Sequence, residues 1–119
     1  MMYNVNGSTV EIIRKAAKTT VKAMRRHNSD FMVHFDGMEG YNITTNIDGM
    51  NLTTYNNGHT WFILDSTSGI AVSQANTYKN AVDRFVNFLN NNGIDKALSM
   101  IDAGRADVME KWSEYIAVE

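Results

Sequence analysis

At 119 residues, 44% apolar and 20% charged, the chain suits one domain that buries roughly two thirds of its unfolded surface, and its composition excludes a disordered or fibrous protein. The formal net charge of −2 conceals a segregation, because residues 14–26 carry +6 with no acid among them and the remainder therefore carries −8. The absence of Cys excludes a disulfide framework, a thiol nucleophile and a thiolate metal site, and the longest apolar runs, Trp61 to Leu64 and Ile70 to Val72, are far short of the ~20 residues of a membrane-spanning helix.

The first seven residues have neither a basic start nor an apolar stretch of signal-peptide length, so the expected location is the cytoplasm and no membrane partner is expected. Ser8 followed by Glu11 has the spacing of a capping box and predicts a helix from Ser8 to about Asn28. Val10, Ile13, Ala17, Val21 and Met24 recur at intervals of three and four, which gathers them into one apolar stripe. On the same wheel Arg14, Lys15, Lys18, Lys22, Arg25 and Arg26 fall within an arc of roughly 120° beside that stripe. No acid stands four residues after any of the six within the helix, so the segment carries a small repulsion that only Glu11, four residues before Lys15, offsets.

From Asp30 to Gln74 the apolar period changes to two, with turn signals at Asp36-Gly37, Asp48-Gly49, Asn57-Gly58 and Ser68-Gly69. Their spacing predicts a five-stranded antiparallel meander. Phe31, Val33 and Phe35 share one face of its first strand, and Tyr41, Ile43 and Ile47 continue an inward face on the second. The fourth strand, Thr60 to Leu64, has Trp61 and Ile63 on one side and Phe62 and Leu64 on the other, so it requires cover on both faces. The expected cover for the second face is the C-terminal helix, through Trp112 and Ile116.

After a fifth strand, Ile70 to Gln74, Asn76 and Thr77 offer helix caps, and Tyr78, Ala81, Val82, Phe85, Phe88 and Leu89 form the stripe of a second helix that Gly93 ends. Two short helices are predicted beyond it, Asp95 to Ala103 closed by Gly104 and Ala106 to about Ala117. The expected fold is thus a single α+β domain over residues 1–119: an N-terminal helix, a five-stranded antiparallel β-meander and three C-terminal helices.

No motif in the chain carries a nameable chemistry. His27, His34 and His59 have no mutual spacing of two, three or four that would set two imidazoles on one face, so neither a metal nor any other cofactor is expected. A G-x-S-x-G nucleophile turn is absent, and Ser66-Thr67-Ser68-Gly69 is better understood as turn chemistry. Gly37-Met38-Glu39-Gly40 places an acid where a phosphate-cradling loop requires a donor. An enzyme would need a concave pocket joining His34 or His59 to acids, and the expectation is a protein without catalytic residues.

The run Thr77-Tyr78-Lys79-Asn80-Ala81 stands where a double-stranded RNA-binding domain opens its last helix, and a helix, a meander and a closing helix over residues 10–90 resemble that family in topology. Where that family carries a lysine cluster this chain has Lys79 alone, followed by Asp83. The strand–turn–strand from Trp61 to Val72, running into Thr77 to Val82, resembles small accessory proteins of phages and mobile elements, among them the anti-CRISPR inhibitors. That resemblance implies a cofactor-free single domain that covers a surface of a larger machine, in the cytoplasm of a host cell if phage-encoded.

The function expected is that of a non-enzymatic binding protein, an inhibitor or accessory factor of a nucleic-acid-processing complex. Its contact residues are Arg14, Lys15, Lys18, Lys22, Arg25 and Arg26, and its partner is an acidic protein surface or a nucleoprotein complex. The alternatives are direct nucleic-acid binding, with a layout like that of double-stranded RNA-binding domains, and an unrecognised small enzyme.

Overall fold

Asn-Gly between apolar residues favours a two-residue hairpin turn, because both turn positions require positive φ. Asn6 (φ 52°) and Gly7 (φ 87°) adopt that turn in the computed structural model, which describes residues 1–27 and 32–111, with side chains at 1–24 and 37–110. The turn joins β1 (Met2–Val5) to β2 (Ser8–His27) with Val5 opposite Ser8. Residues 8–27 are therefore a strand. The expected N-terminal helix does not exist, and Ser8 caps nothing.

Local chemistry accounts for this outcome. Thr9, Val10, Ile12, Ile13, Thr19, Thr20 and Val21 are β-branched and prefer the pleated backbone. The supposed helical stripe is not a face, since Ile13 is 43% exposed and Ala17 is exposed, while Val10, Ile12, Val21 and Ala23 are buried. β2 pairs with β3 (Met32–Thr45) as the long arms of one hairpin. The register slips between Arg14, opposite Ile43, and Lys18, opposite Tyr41, so residues 15–17 bulge against Asn42 alone.

β3 also absorbs the first two expected strands into one, because Asp36 and Gly37 pair with Ala23 and Lys22 in mid-strand and make no turn. Gly40 serves close approach instead. A Cβ there would run into the Thr54 carbonyl oxygen and lie 3.0 Å from Tyr55 Cβ and from Val21 Cγ2. β4 (Leu52–Asn56), β5 (Trp61–Asp65) and β6 (Ala71–Ala75) complete a six-stranded antiparallel sheet in strictly sequential order, curled into a half-barrel.

α1 (Tyr78–Asn92) follows the sequence expectation closely: the Thr77 hydroxyl accepts from the Asn80 amide at 3.1 Å, and the Gly93 amide donates to the Leu89 carbonyl at 2.8 Å. α2 (Ile94–Lys111) is one helix where two were expected. Gly104 lies within it, and a Cβ there would be 3.3 Å from Ile70 Cδ1, so this glycine lets α2 approach the β5–β6 turn. Two C-terminal helices replace the expected three.

Directly opposed residues share a sheet face. On the helix-side face Ile12, Ile43, Leu52 and Ile63 pack with Ala81, Val82, Phe85 and Leu89 of α1 into the main core. On the opposite face Tyr55, Phe62 and Leu64 pack with Val21, Ala23 and Met38 into a second core. The β2–β3 hairpin curls over the sheet it belongs to, and the Met24 amide donates to the Gly69 carbonyl at 2.9 Å to fasten it. β5 is covered on both faces, as its sequence requires, but the hairpin supplies the second cover; Trp112 and Ile116 lie outside the described residues.

Candidate functional site

The basic residues lie along a strand, not on a helix flank. Thirteen residues that would span about 18 Å of helix extend over about 40 Å of strand, which dilutes their mutual repulsion. The register places Arg14, Lys18 and Lys22 on the helix-side face of the sheet, with Lys15 in the bulge. Arg25 and Arg26 pair through the backbone with His34 and Val33 near the end of the hairpin; their side chains lie outside the described ones.

Lys15 and Lys18 are exposed, and Lys22 is half-buried. Lys18 meets Glu39 at 3.3 Å with both side chains largely in solvent. A hydrogen bond from Lys18 to Glu39, helped by the carboxylate charge, raises the lysine above its ordinary value.

Arg14 is held differently. Its guanidinium carbon lies 4.5 Å from the ring centre of Tyr78, 5.1 Å from that of Tyr41 and 5.2 Å from that of Trp61. These rings come from α1, β3 and β5 and reach Arg14 because Tyr41 and Trp61 point to the same sheet face as it does. Trp61 and Tyr78 pack edge to face at 5.6 Å. Cation–π attraction fixes the guanidinium, and among the described residues Arg14 makes no hydrogen bond or ion pair. The Tyr78 hydroxyl is buried without a hydrogen-bond partner; burial raises its pKa, against the opposing charge of Arg14.

A second polar cluster lies where α2 meets the β5–β6 turn. Asp65, 1% exposed, accepts from the Ser68 hydroxyl at 2.7 Å and the Ser68 amide at 3.1 Å. Arg105 donates to it from Nη2 at 2.8 Å and from Nε at 3.1 and 3.2 Å, and also reaches the Gly49 carbonyl and Asp102. Burial alone would push the Asp65 carboxyl up, but the Arg105 and Ser68 hydrogen bonds overcome it and hold the carboxyl below its ordinary value. Both carboxylate oxygens are occupied, so this group is a latch between helix and sheet and not a free base. The adjoining pocket, about 210 Å³, is otherwise lined mainly by apolar side chains such as Ile70, Val72, Phe88 and Ile101.

His59 is exposed in the β4–β5 turn, where the Asn57 side chain accepts from the His59 and Thr60 amides at 2.9 and 2.8 Å. His27 and His34 occupy backbone positions in β2 and β3. No group of three or more His, Asp or Glu side chains among the described residues is placed to hold a metal ion.

The charge segregation of residues 14–26 was visible in the sequence, whereas the aromatic seat of Arg14 was not. Tyr41, Trp61 and Tyr78 have the spacing of core residues, and only the strand register shows that their rings converge on one cation. The layout of double-stranded RNA-binding domains falls with the N-terminal helix. No helix among the described residues is long and apolar enough to cross a membrane. Comparison of the chain with family models, with curated proteins and with solved structures found no match.

Proposed function

We propose that this chain is a non-enzymatic binding protein, an inhibitor or accessory factor of a nucleic-acid-processing complex of the anti-CRISPR kind, acting in the cytoplasm of a host cell. The contact surface is the positive stripe of β2: Arg14, Lys15, Lys18 and Lys22, continued along the chain by Arg25 and Arg26. The partner offers acidic groups, either as protein carboxylates or as a phosphate backbone.

The observation that carries this reading is the presentation of Arg14, Lys15 and Lys18 to solvent on the helix-side face and bulge of β2, where among the described residues Lys18 pairs with Glu39 and Arg14 and Lys15 pair with no acid. Exposed pairs of that type contribute ~0–1 kcal/mol to stability, so folding gives little reason to concentrate charge there. Asp65, the one buried acid among the described residues, has its oxygens filled by Arg105 and Ser68, which supports binding over catalysis.

A direct nucleic-acid contact is the second reading, favoured by the aromatic rings of Tyr41, Trp61 and Tyr78 beside the basic stripe, since basic grooves that track a nucleic-acid backbone are commonly lined by such rings. Capture from a lysate of the source cells tests both. Changing Lys15 and Lys18 together to Glu should leave thermal unfolding nearly unchanged and abolish capture. A protein partner persists after nuclease treatment, whereas a nucleic-acid partner is lost and weakens steeply with added salt. Undiminished capture by the double variant refutes the assignment of this surface.

A further inference from the structure

We infer that Arg14, with Tyr41, Trp61 and Tyr78, forms a binding site for an unpaired nucleotide, so that the stripe of β2 takes single-stranded nucleic acid. This rests on reading β2 as the contact surface and goes beyond it by naming the ligand.

Three features of the site point the same way. The guanidinium is seated by three rings at 4.5, 5.1 and 5.2 Å, yet Arg14 as a residue is exposed. Cation–π contacts spend none of a guanidinium's N–H groups on an oxygen, and no carboxylate or carbonyl among the described residues accepts from those of Arg14. The result is an arginine held in one place with its donors unspent, which is the arrangement an oxyanion requires.

The rings decide which oxyanion. Tyr41, Trp61 and Tyr78 are each partly accessible, Trp61 and Tyr78 packing also against the main core, and their accessible part is the π-surface available beside the guanidinium. A protein carboxylate would satisfy the N–H groups and leave that surface in water; a nucleotide covers both, with its base stacked on a ring or on the guanidinium plane and its phosphate on the donors. Exposed Lys15 and Lys18 follow on the same strand, where the neighbouring phosphates of a continuous chain would lie. A duplex keeps its bases stacked inside and cannot present one to a ring on a sheet face, which selects the single strand.

The test uses the full chain with Trp112→Phe, so that Trp61 alone reports. Titration with a thymidine oligomer of about 15 nucleotides at low salt should quench Trp61 emission and saturate. Heparin, a polyanion without bases, should bind without that quenching, and the thymidine oligomer annealed to its complement should bind more weakly than the single strand. Loss of one stacked base lowers affinity at least about fivefold, so Trp61→Leu should do so, and Trp61→Phe, read by a fluorescent label on the oligomer, should retain most of the affinity. Arg14→Lys, which keeps the charge and loses the planar fork, should also fall at least about fivefold even if Trp61→Leu proves unfolded. Arg14→Lys binding as tightly as the parent, or no binding of the oligomer at low salt, overturns the inference. Should that happen while Lys15 and Lys18 still govern capture of a nuclease-resistant partner, the proposed function stands and only the nucleotide site is lost.

Discussion

Replacing Arg105 by Met isolates the energetic role of the Asp65 latch. Methionine keeps most of the apolar stem that lies between α2 and the β5–β6 turn but removes every donor that Arg105 aims at Asp65. The carboxylate stays 1% exposed with Ser68 as its remaining donor, and stranding a buried charge in this way costs about 3–5 kcal/mol. At roughly 4 °C per kcal/mol for a domain of this size, the variant should melt about 12–20 °C below the parent near pH 7. The pH dependence supplies the sharper test. In the parent the folded-state pKa of Asp65 is depressed, so its contribution to stability is present above the unfolded value of ~3.9 and is lost as pH falls through the folded value. In the variant burial prevails and the folded pKa moves above the unfolded one, so stability rises on acidification between the two, and the gap to the parent narrows at low pH. Urea unfolding at a series of pH values, with Asp65→Asn and the double variant completing a cycle, measures this directly. A penalty below about 1 kcal/mol with no pH dependence would place the pair among exposed ion pairs and refute the latch.

Two further substitutions test the curled hairpin. Gly40→Ala should cost at least about 1–3 kcal/mol by thermal unfolding, because its methyl group meets the Thr54 carbonyl oxygen and the side chains of Tyr55 and Val21. A neutral result would show that β3 is less tightly bent. Leu64→Ala should cost about 2–5 kcal/mol, comparable to Leu89→Ala in the main core, since both are nearly inaccessible. A loss under about 1 kcal/mol at Leu64 alone would mean that the hairpin does not cover the second face in solution.

The elements legible in the sequence were those whose signals agreed at every level. Thr77, the apolar stripe through Phe85 and Leu89, and Gly93 all specify α1, and Asn57-Gly58 with the doubly apolar Trp61 to Leu64 specifies the β4–β5 hairpin. The error over residues 8–27 has a physical origin. β2 buries Val10 and Ile12 on one face, bulges at 15–17, and buries Val21 and Ala23 on the other, and this change of face within one strand imitates a helical interval. Asn6-Gly7 and the β-branched run were the local evidence against a helix. Gly37 and Gly104 misled for a shared reason: each sits inside an element where a neighbouring side chain, Thr20 or Ile70, comes close. The charge of the site was legible because it is local in sequence. Its aromatic half was not, because Arg14, Tyr41, Trp61 and Tyr78 belong to four elements.

The central claim is that the positive stripe of β2 touches the partner, and a photo-crosslinking side chain placed at Ala16 tests it most directly. Ala16 is exposed in the bulge beside Lys15, so a crosslinker there stands on the stripe without removing a charge. Met109 on α2, 60% exposed, provides the control position. Irradiation of source cells should give an adduct from position 16 and none from position 109, and nuclease digestion of that adduct reports whether its mass is nucleic acid or protein. An adduct from position 109 with none from position 16 would contradict the claim and move the contact surface from β2 to α2.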